Sequence, residues 1–239
     1  MINFTSPFKI PGLSLLLVIF CLACKDATPK EPVVIKVEAK FEETEKVGAL
    51  AVMDYDTSQW AEITAEDGNF HFDIRYATSE NFTKKVIYDC ARCFLRPHVK
   101  EQLLNFEKVM RKEFGLGVVL FDCYRPRPYQ QRLWDIVPDE RYVGNPAKGS
   151  MHNRGMAVDI ALTDEVGIIM DFGTDFDHFG PASFHSATSS KISKEAVENR
   201  LFLKGEIAKF GFQPITSEWW HYSYRENVLG LEGWVWSCD

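Results

Sequence analysis

The 239-residue sequence contains no block of Lys and Arg, and its 27 basic side chains are outnumbered by 34 acidic ones, leaving a net charge of −7. A chain without a basic stripe lacks the electrostatic footprint of a nucleic-acid binder, so no nucleic-acid partner is expected. Internal repeats and low-complexity segments are also missing. The charged share of 26% is ordinary, which excludes wholesale disorder, collagen-like and coiled-coil architectures. The most extended apolar stretch, Leu13 to Ala23, is eleven residues long. That falls well short of the roughly 17–25 residues that a spanning helix needs. What the chain does have is 46% hydrophobic and 13% aromatic residues, enough for a substantial core in one large domain or two small ones.

The Leu13–Ala23 run has the length of a secretion-signal core, and Lys9 is the only charge before it. It ends Cys21-Leu22-Ala23-Cys24, a small residue followed by Cys, which resembles a bacterial lipoprotein signal with Cys24 as the lipidated first mature residue. An ordinary cleaved signal is the alternative. Either reading exports the protein to the periplasm or cell envelope, and the first adds a membrane attachment through a lipid anchor. Residues 1–23 are thus read as signal peptide. Residues 24–50, with alternating Lys and Glu around Pro29 and Pro32, are read as a flexible linker too polar to order itself. Residues 51–239 form the folded domain.

Export changes how cysteine is read. Setting Cys21 and Cys24 aside leaves Cys90, Cys93, Cys123 and Cys238, which allow three pairings that sequence does not choose among. Cys90 and Cys93 have CxxC spacing but no thioredoxin-like context, and a four-thiolate zinc site would need a second close pair. These cysteines are read as structural or free.

Periodicity in the folded part is mixed. Val99, Leu103, Phe106, Met110 and Phe114 recur at helical spacing between Pro97 and Gly115. Gln130–Val137 suggests a second helix, and Ala196, Leu203, Ile207 and Phe210 a third, closed by Gly211. Val118–Phe121 reads as a short buried strand, and Met156–Leu162 alternates as a strand should. Val166–Met170 is expected to pair back on it as a hairpin, and Ser217–Tyr224 to form a final aromatic strand. Helices and hairpins do not alternate regularly, so the fold expected is α+β, a central antiparallel sheet flanked by helices.

Three segments carry chemistry. Ser150-Met151-His152-Asn153-Arg154-Gly155-Met156-Ala157-Val158-Asp159 and Glu218-Trp219-Trp220-His221 together offer two imidazoles and a carboxylate. That is a suitable ligand set for a catalytic zinc with its fourth position open. Glu218 lies close to His221, where it could take a proton from water. Unrelated hydrogen-bonded histidines and a turn-capping Asp159 are the competing reading. The third segment, Asp122-Cys123-Tyr124-Arg125-Pro126, holds an Arg in a Pro-flanked turn after a strand. Its fixed donor fork suits either a developing oxyanion or a surface ion pair.

Taken in their order along the chain, Asp122–Pro126, then Ser150–Asp159, then Glu218–His221, these three segments resemble the zinc D-alanyl-D-alanine dipeptidases of the VanX type. So do Asp73-Ile74-Arg75-Tyr76-Ala77-Thr78, Asn81-Phe82-Thr83 and Gly173-Thr174-Asp175-Phe176-Asp177. The similarity runs from about residue 70 to 225. It implies a zinc site on the sheet of an α+β metallopeptidase fold, with one Zn²⁺ per chain on His152, Asp159 and His221. It further implies Glu218 as general base, Arg125 as transition-state stabiliser, Asp177 holding the substrate ammonium, and Ser150 and Tyr76 lining the substrate pocket. The implied activity is hydrolysis of the small dipeptide D-Ala-D-Ala in the cell envelope. The sequence departs from relatives at Met151, where some carry Ser, and offers only Tyr88 as a candidate for a further pocket tyrosine. A D,D-carboxypeptidase or endopeptidase acting on longer stem peptides, and a non-catalytic envelope-binding lipoprotein, are the alternatives.

Overall fold

The computed structural model describes residues 54–238, so the expected signal, the Cys24 anchor and the 24–50 linker lie outside the described residues. The chain forms β1 (Ala61–Ile63), β2 (Phe70–Phe72), β3 (Cys93–Leu95), α1 (Pro97–Val109), β4 (Gly117–Asp122), α2 (Arg127–Ile136), β5 (Ala157–Thr163), α3 (Lys194–Ala208), β6 (Phe212–Ile215) and β7 (Glu218–Tyr224). β1 and β3 make a small antiparallel ribbon, and the other five strands form one sheet in the order β2-β4-β5-β7-β6.

Local sequence accounts for the principal elements. α1 begins where Pro97, which has no N–H to satisfy, fills the first turn, and it buries Val99, Leu103 and Phe106. A wider π-type turn over Met110–Phe114 then closes at Gly115, whose φ of +72° suits a glycine helix stop. α3 is capped by Ser193, whose Oγ accepts the Ala196 N–H at 2.9 Å. All residues of β4 and β5 are buried. The middle of the sheet is therefore covered on both faces, and β5 carries Val158, Ile160 and Leu162 as well as Ala157 and Ala161 into the core.

Two expectations change. The sheet is antiparallel from β4 to β6, but β2 joins β4 in parallel. β2 reaches β4 through the ribbon strand and α1, the long crossover that parallel neighbours require. The Val166–Met170 hairpin reduces to a single bridge, Thr163 to Ile169, with Val166 and Ile168 exposed. With their side chains in solvent, no burial extends the pairing beyond two backbone bonds, Asp164 N–H to Ile168 O and Met170 N–H to Leu162 O. The cysteines pair as Cys90–Cys238 and Cys93–Cys123.

Candidate active site

Strand register assembles the site. Asp122 on β4 sits opposite Asp159 on β5, and Asp159 sits opposite His221 on β7. Three polar residues thus form one row across the three central strands. Directly paired side chains on neighbouring strands lie close enough to touch. His152 arrives from outside the sheet, on a single 3₁₀ turn over His152–Arg154. That turn ends at Gly155 with φ +70°, where any Cβ would meet the Trp60 ring at 2.5 Å. Only glycine lets the chain turn there and enter β5.

His152 Nε2, His221 Nδ1 and Asp159 Oδ1 converge, with separations of 3.0 Å between the two nitrogens, 3.0 Å from His221 to Asp159 and 3.3 Å from His152 to Asp159. The other ring nitrogens set the tautomers. His152 Nδ1 lies 2.7 Å from the Cys123 carbonyl, which can only accept, so Nδ1 carries the proton and Nε2 presents a lone pair. His221 Nε2 lies 2.9 Å from Ser223 Oγ, and donating there leaves its Nδ1 facing the cluster. In that arrangement three electron-pair donors meet, and a cation between them removes the repulsion. Ligands about 2.0–2.1 Å from a tetrahedral ion stand roughly 3.3 Å apart, which the observed triangle approaches. The donor set and its spacing fit zinc. Burial alone would raise Asp159, but positive charge and donated protons from His152 and His221 hold its carboxyl below the usual range, and a bound cation would supply that charge where the imidazoles are neutral.

Around this cluster is a cavity of about 260 Å³ whose walls include Tyr76, Arg125, Ser150, Asp177, Glu218 and Trp220. It is smaller than the roughly 300–1,000 Å³ occupied by drug-sized ligands. Glu218, the first residue of β7, places Oε2 4.0 Å from His221 Nδ1, near the metal position without joining the triangle. Burial pushes its carboxyl above the ordinary carboxylate range.

Arg125 is buried, which excludes a surface ion pair. Its Nε and Nη2 donate to Asp122 Oδ2 at 3.0 and 2.6 Å, and Nη1 donates to Gln130 Oε1 at 3.1 Å. A guanidinium has five N–H groups. Three are engaged, leaving one on each terminal nitrogen for the cavity. Its Cζ also stands 4.9 Å from the Tyr76 ring centre.

Asp177 lines the same cavity and has no cation partner among the described residues. It accepts a hydrogen bond from Tyr76 Oη at 2.8 Å. Burial raises its carboxyl well above the ordinary range, with Asp159 and Glu218 adding to the effect and Tyr76 and Arg125 opposing it. Its φ of +58° is uncommon outside glycine, although Asp and Asn tolerate it best. Ser150 lines the same cavity and bonds through Oγ to Asn153 Oδ1 at 3.2 Å.

The structure therefore gathers all eight residues singled out around the proposed centre: His152, Asp159, His221, Glu218, Arg125, Asp177, Ser150 and Tyr76. Tyr88 is not a pocket residue; it is 1% exposed and donates to Asp122 Oδ1 at 2.6 Å, behind Arg125. His178 lies in a neighbouring depression, and His185 packs against Tyr222 away from the cavity. Sequence reasoning missed Asp122, Gln130, Ser223 and the Cys123 carbonyl. Asp122 could have been suspected as a carboxylate three residues before Arg125. A backbone carbonyl has no sequence signal at all.

The chain is similar to known proteins along most of its described length. The Peptidase_M15 family, described as D-ala-D-ala dipeptidase, matches residues 59–232. A D-alanyl-D-alanine dipeptidase of Escherichia coli (strain K12) is 35% identical over 167 residues, covering 70% of this chain and 85% of the relative. One from Enterococcus faecium is 30% identical over 177 residues, covering 65% and 86%. A zinc-bound vancomycin resistance D,D-pentapeptidase aligns over 55% of this chain and 73% of its own, at 19% identity and a TM-score of 0.37, too distant to bear on the argument. The chain belongs to the Peptidase_M15 family of D-ala-D-ala dipeptidases and is a zinc metallopeptidase.

Proposed function

We propose that this protein hydrolyses D-Ala-D-Ala, recognising the free dipeptide through both of its charges. The carrying observation is Asp177, a carboxylate without a cation, on the wall of the same small cavity as the His152–Asp159–His221 triangle. A carboxylate so placed favours a ligand that brings its own positive charge, and a free dipeptide carries an ammonium group where a longer peptide has an amide.

His152, Asp159 and His221 would hold zinc, which when bound supplies a Lewis acid that polarises the peptide carbonyl and acidifies water. Glu218 takes the proton from the attacking water and returns it to the leaving amine, a role to which its raised carboxyl is suited. The two free N–H groups of Arg125 meet the charge that develops on the carbonyl oxygen. Asp122, Tyr88 and Gln130 keep the guanidinium aimed.

The test compares D-Ala-D-Ala with its N-acetyl form, with and without chelator. Chelator-sensitive turnover of the free dipeptide alone supports the reading. Equal or faster cleavage of the capped or a longer peptide moves the protein to the carboxypeptidase or endopeptidase alternative.

We further propose that the enzyme works outside the cytoplasm, tethered through Cys24. Two disulfides support an oxidising compartment, and the apolar run ending at Cys24 supports the anchor. Cys24→Ser should move the protein from the membrane to the soluble fraction. Wild type that fractionates as soluble without detergent removes the anchor and leaves plain secretion.

A further inference from the structure

Cys123 stands immediately after β4, beyond a bulge that interrupts the β4–β5 ladder between Leu120 and Asp122. Its N–H bonds to the Asp122 side chain at 2.9 Å rather than to a neighbouring strand. Sheet pairing therefore does not fix the peptide that carries the Cys123 carbonyl. Two ties from the β1–β3 ribbon hold it, the Tyr124 N–H donating to Phe94 O at 2.9 Å and Cys123 Sγ being bonded to Cys93, while two residues on, the Arg125 N–H donates to His152 O at 3.0 Å. Both sulfur-bearing residues are buried, Cys93 completely.

That carbonyl accepts His152 Nδ1–H at 2.7 Å. The partner of a ligating imidazole's second nitrogen sets the tautomer and ring direction, and its loss typically costs about 10–100-fold in metal affinity. Here the partner is a backbone atom, with Asp122 Oδ2 the next acceptor at 3.6 Å, so the chain controls it through what anchors residue 123. The geometry points to the Cys93–Cys123 disulfide as a positioning element of the metal centre, holding the Cys123 carbonyl against His152 so that metal affinity depends on the bond being oxidised. The inference rests on the zinc reading of His152, Asp159 and His221.

Cys90–Cys238 provides the contrast. It spans a sequence separation of 148 against 30 for Cys93–Cys123. Its surroundings are the chain end, where Ser237 bonds Arg92 and Asp54. Chain-entropy reasoning assigns more stabilisation to the bond that closes the longer loop. Both bonds therefore raise the unfolding temperature, Cys90–Cys238 somewhat more, and Cys93–Cys123 alone bears on metal retention as well.

The experiment measures zinc dissociation constants by chelator competition, well below the unfolding temperature, together with thermal unfolding. Cys93→Ala/Cys123→Ala should bind zinc about 10–100-fold more weakly than wild type. Cys90→Ala/Cys238→Ala should unfold at lower temperature with its zinc constant within about twofold of wild type. Unchanged zinc affinity in the first variant, or equal weakening in both, overturns the proposal. Wild type that binds no zinc overturns it together with the reading of the triangle, whereas wild type that binds zinc leaves that reading intact whatever the variants do. If the alanine pair does not fold, Cys93→Ala/Cys123→Val restores part of the lost volume and is measured instead. A further measurement needs no variant. Linkage makes zinc favour the oxidised bond by the factor with which the bond favours zinc. The reduction potential of Cys93–Cys123 should then be more negative with zinc than without, by about 30 mV for each tenfold. Equal potentials refute the proposal.

Discussion

The Asp177→Asn exchange removes one charge from the cavity and disturbs little else. The backbone at 177 has φ +58°, and Asn is among the few residues that accept this region, whereas Ala there would add about 1–2 kcal/mol of strain. The amide oxygen still accepts from Tyr76 Oη, now 2.8 Å from the carboxylate. What disappears is the ion contact with the substrate ammonium. Hydrogen bonds to a charged partner contribute about 1.5–3 kcal/mol, against about 1 for neutral pairs. At roughly 1.4 kcal/mol per tenfold, full loss of the charged contact lowers kcat/KM by about 10–150-fold. The loss should appear chiefly in KM, because the ammonium keeps its charge from ground state to transition state. The sharper readout is selectivity. Wild type should prefer D-Ala-D-Ala strongly over N-acetyl-D-Ala-D-Ala, and Asp177→Asn should narrow that preference by the same factor it loses on the free dipeptide. Steady-state kinetics on both substrates with both proteins completes the cycle. A variant that keeps the wild-type preference for a free amino group shows that Asp177 does not read the ammonium, and the substrate assignment built on it falls.

Glu218→Gln should retain zinc at wild-type stoichiometry, by metal analysis, while losing at least ~10²–10⁴-fold in kcat, the usual worth of general acid–base assistance. Replacing His152 or His221 by Ala should instead strip the metal, since each supplies one corner of the triangle; a variant that still holds zinc tightly counts against the ligand set. Arg125→Ala should lose ~10²–10³-fold in kcat as one oxyanion donor is removed. It should also lower stability by about 3–5 kcal/mol in denaturant unfolding, because Asp122, fully buried, is left without its cation. His185 is pushed down to about 4 by burial, with Lys204 and Arg200 adding to the shift. Its folded value lies below the unfolded 6.5, so its contribution is complete above pH 6.5 and is lost as pH falls toward 4. Urea unfolding of the metal-free protein should weaken between pH 7 and 5 by about 1 kcal/mol more in wild type than in His185→Gln, after allowing for the ring's partial exposure.

Elements whose identity depends on neighbours along the chain are legible without the fold. Helical spacing from Val99 to Phe114 between Pro97 and Gly115, and the apolar character of Val118–Phe121 and Met156–Leu162, are local properties, and α1, β4 and β5 appear there. The sequence also supplied the residue types, two imidazoles and three carboxylates in ordered motifs, from which metal chemistry could be argued. Three-residue strands such as β1, β2 and β3 carry too short a pattern to announce themselves. The parallel entry of β2 depends on a crossover that no local signal encodes. That Asp122, Asp159 and His221 fall in one row follows from the packed fold, because register is fixed by which faces the whole core buries. The fold alone decided that Arg125 spends three of its N–H groups on Asp122 and Gln130, and that four cysteines pair in one way out of three. The partner of His152 lies furthest from sequence: a carbonyl common to every residue becomes specific only where the fold delivers it to within 2.7 Å of one imidazole nitrogen.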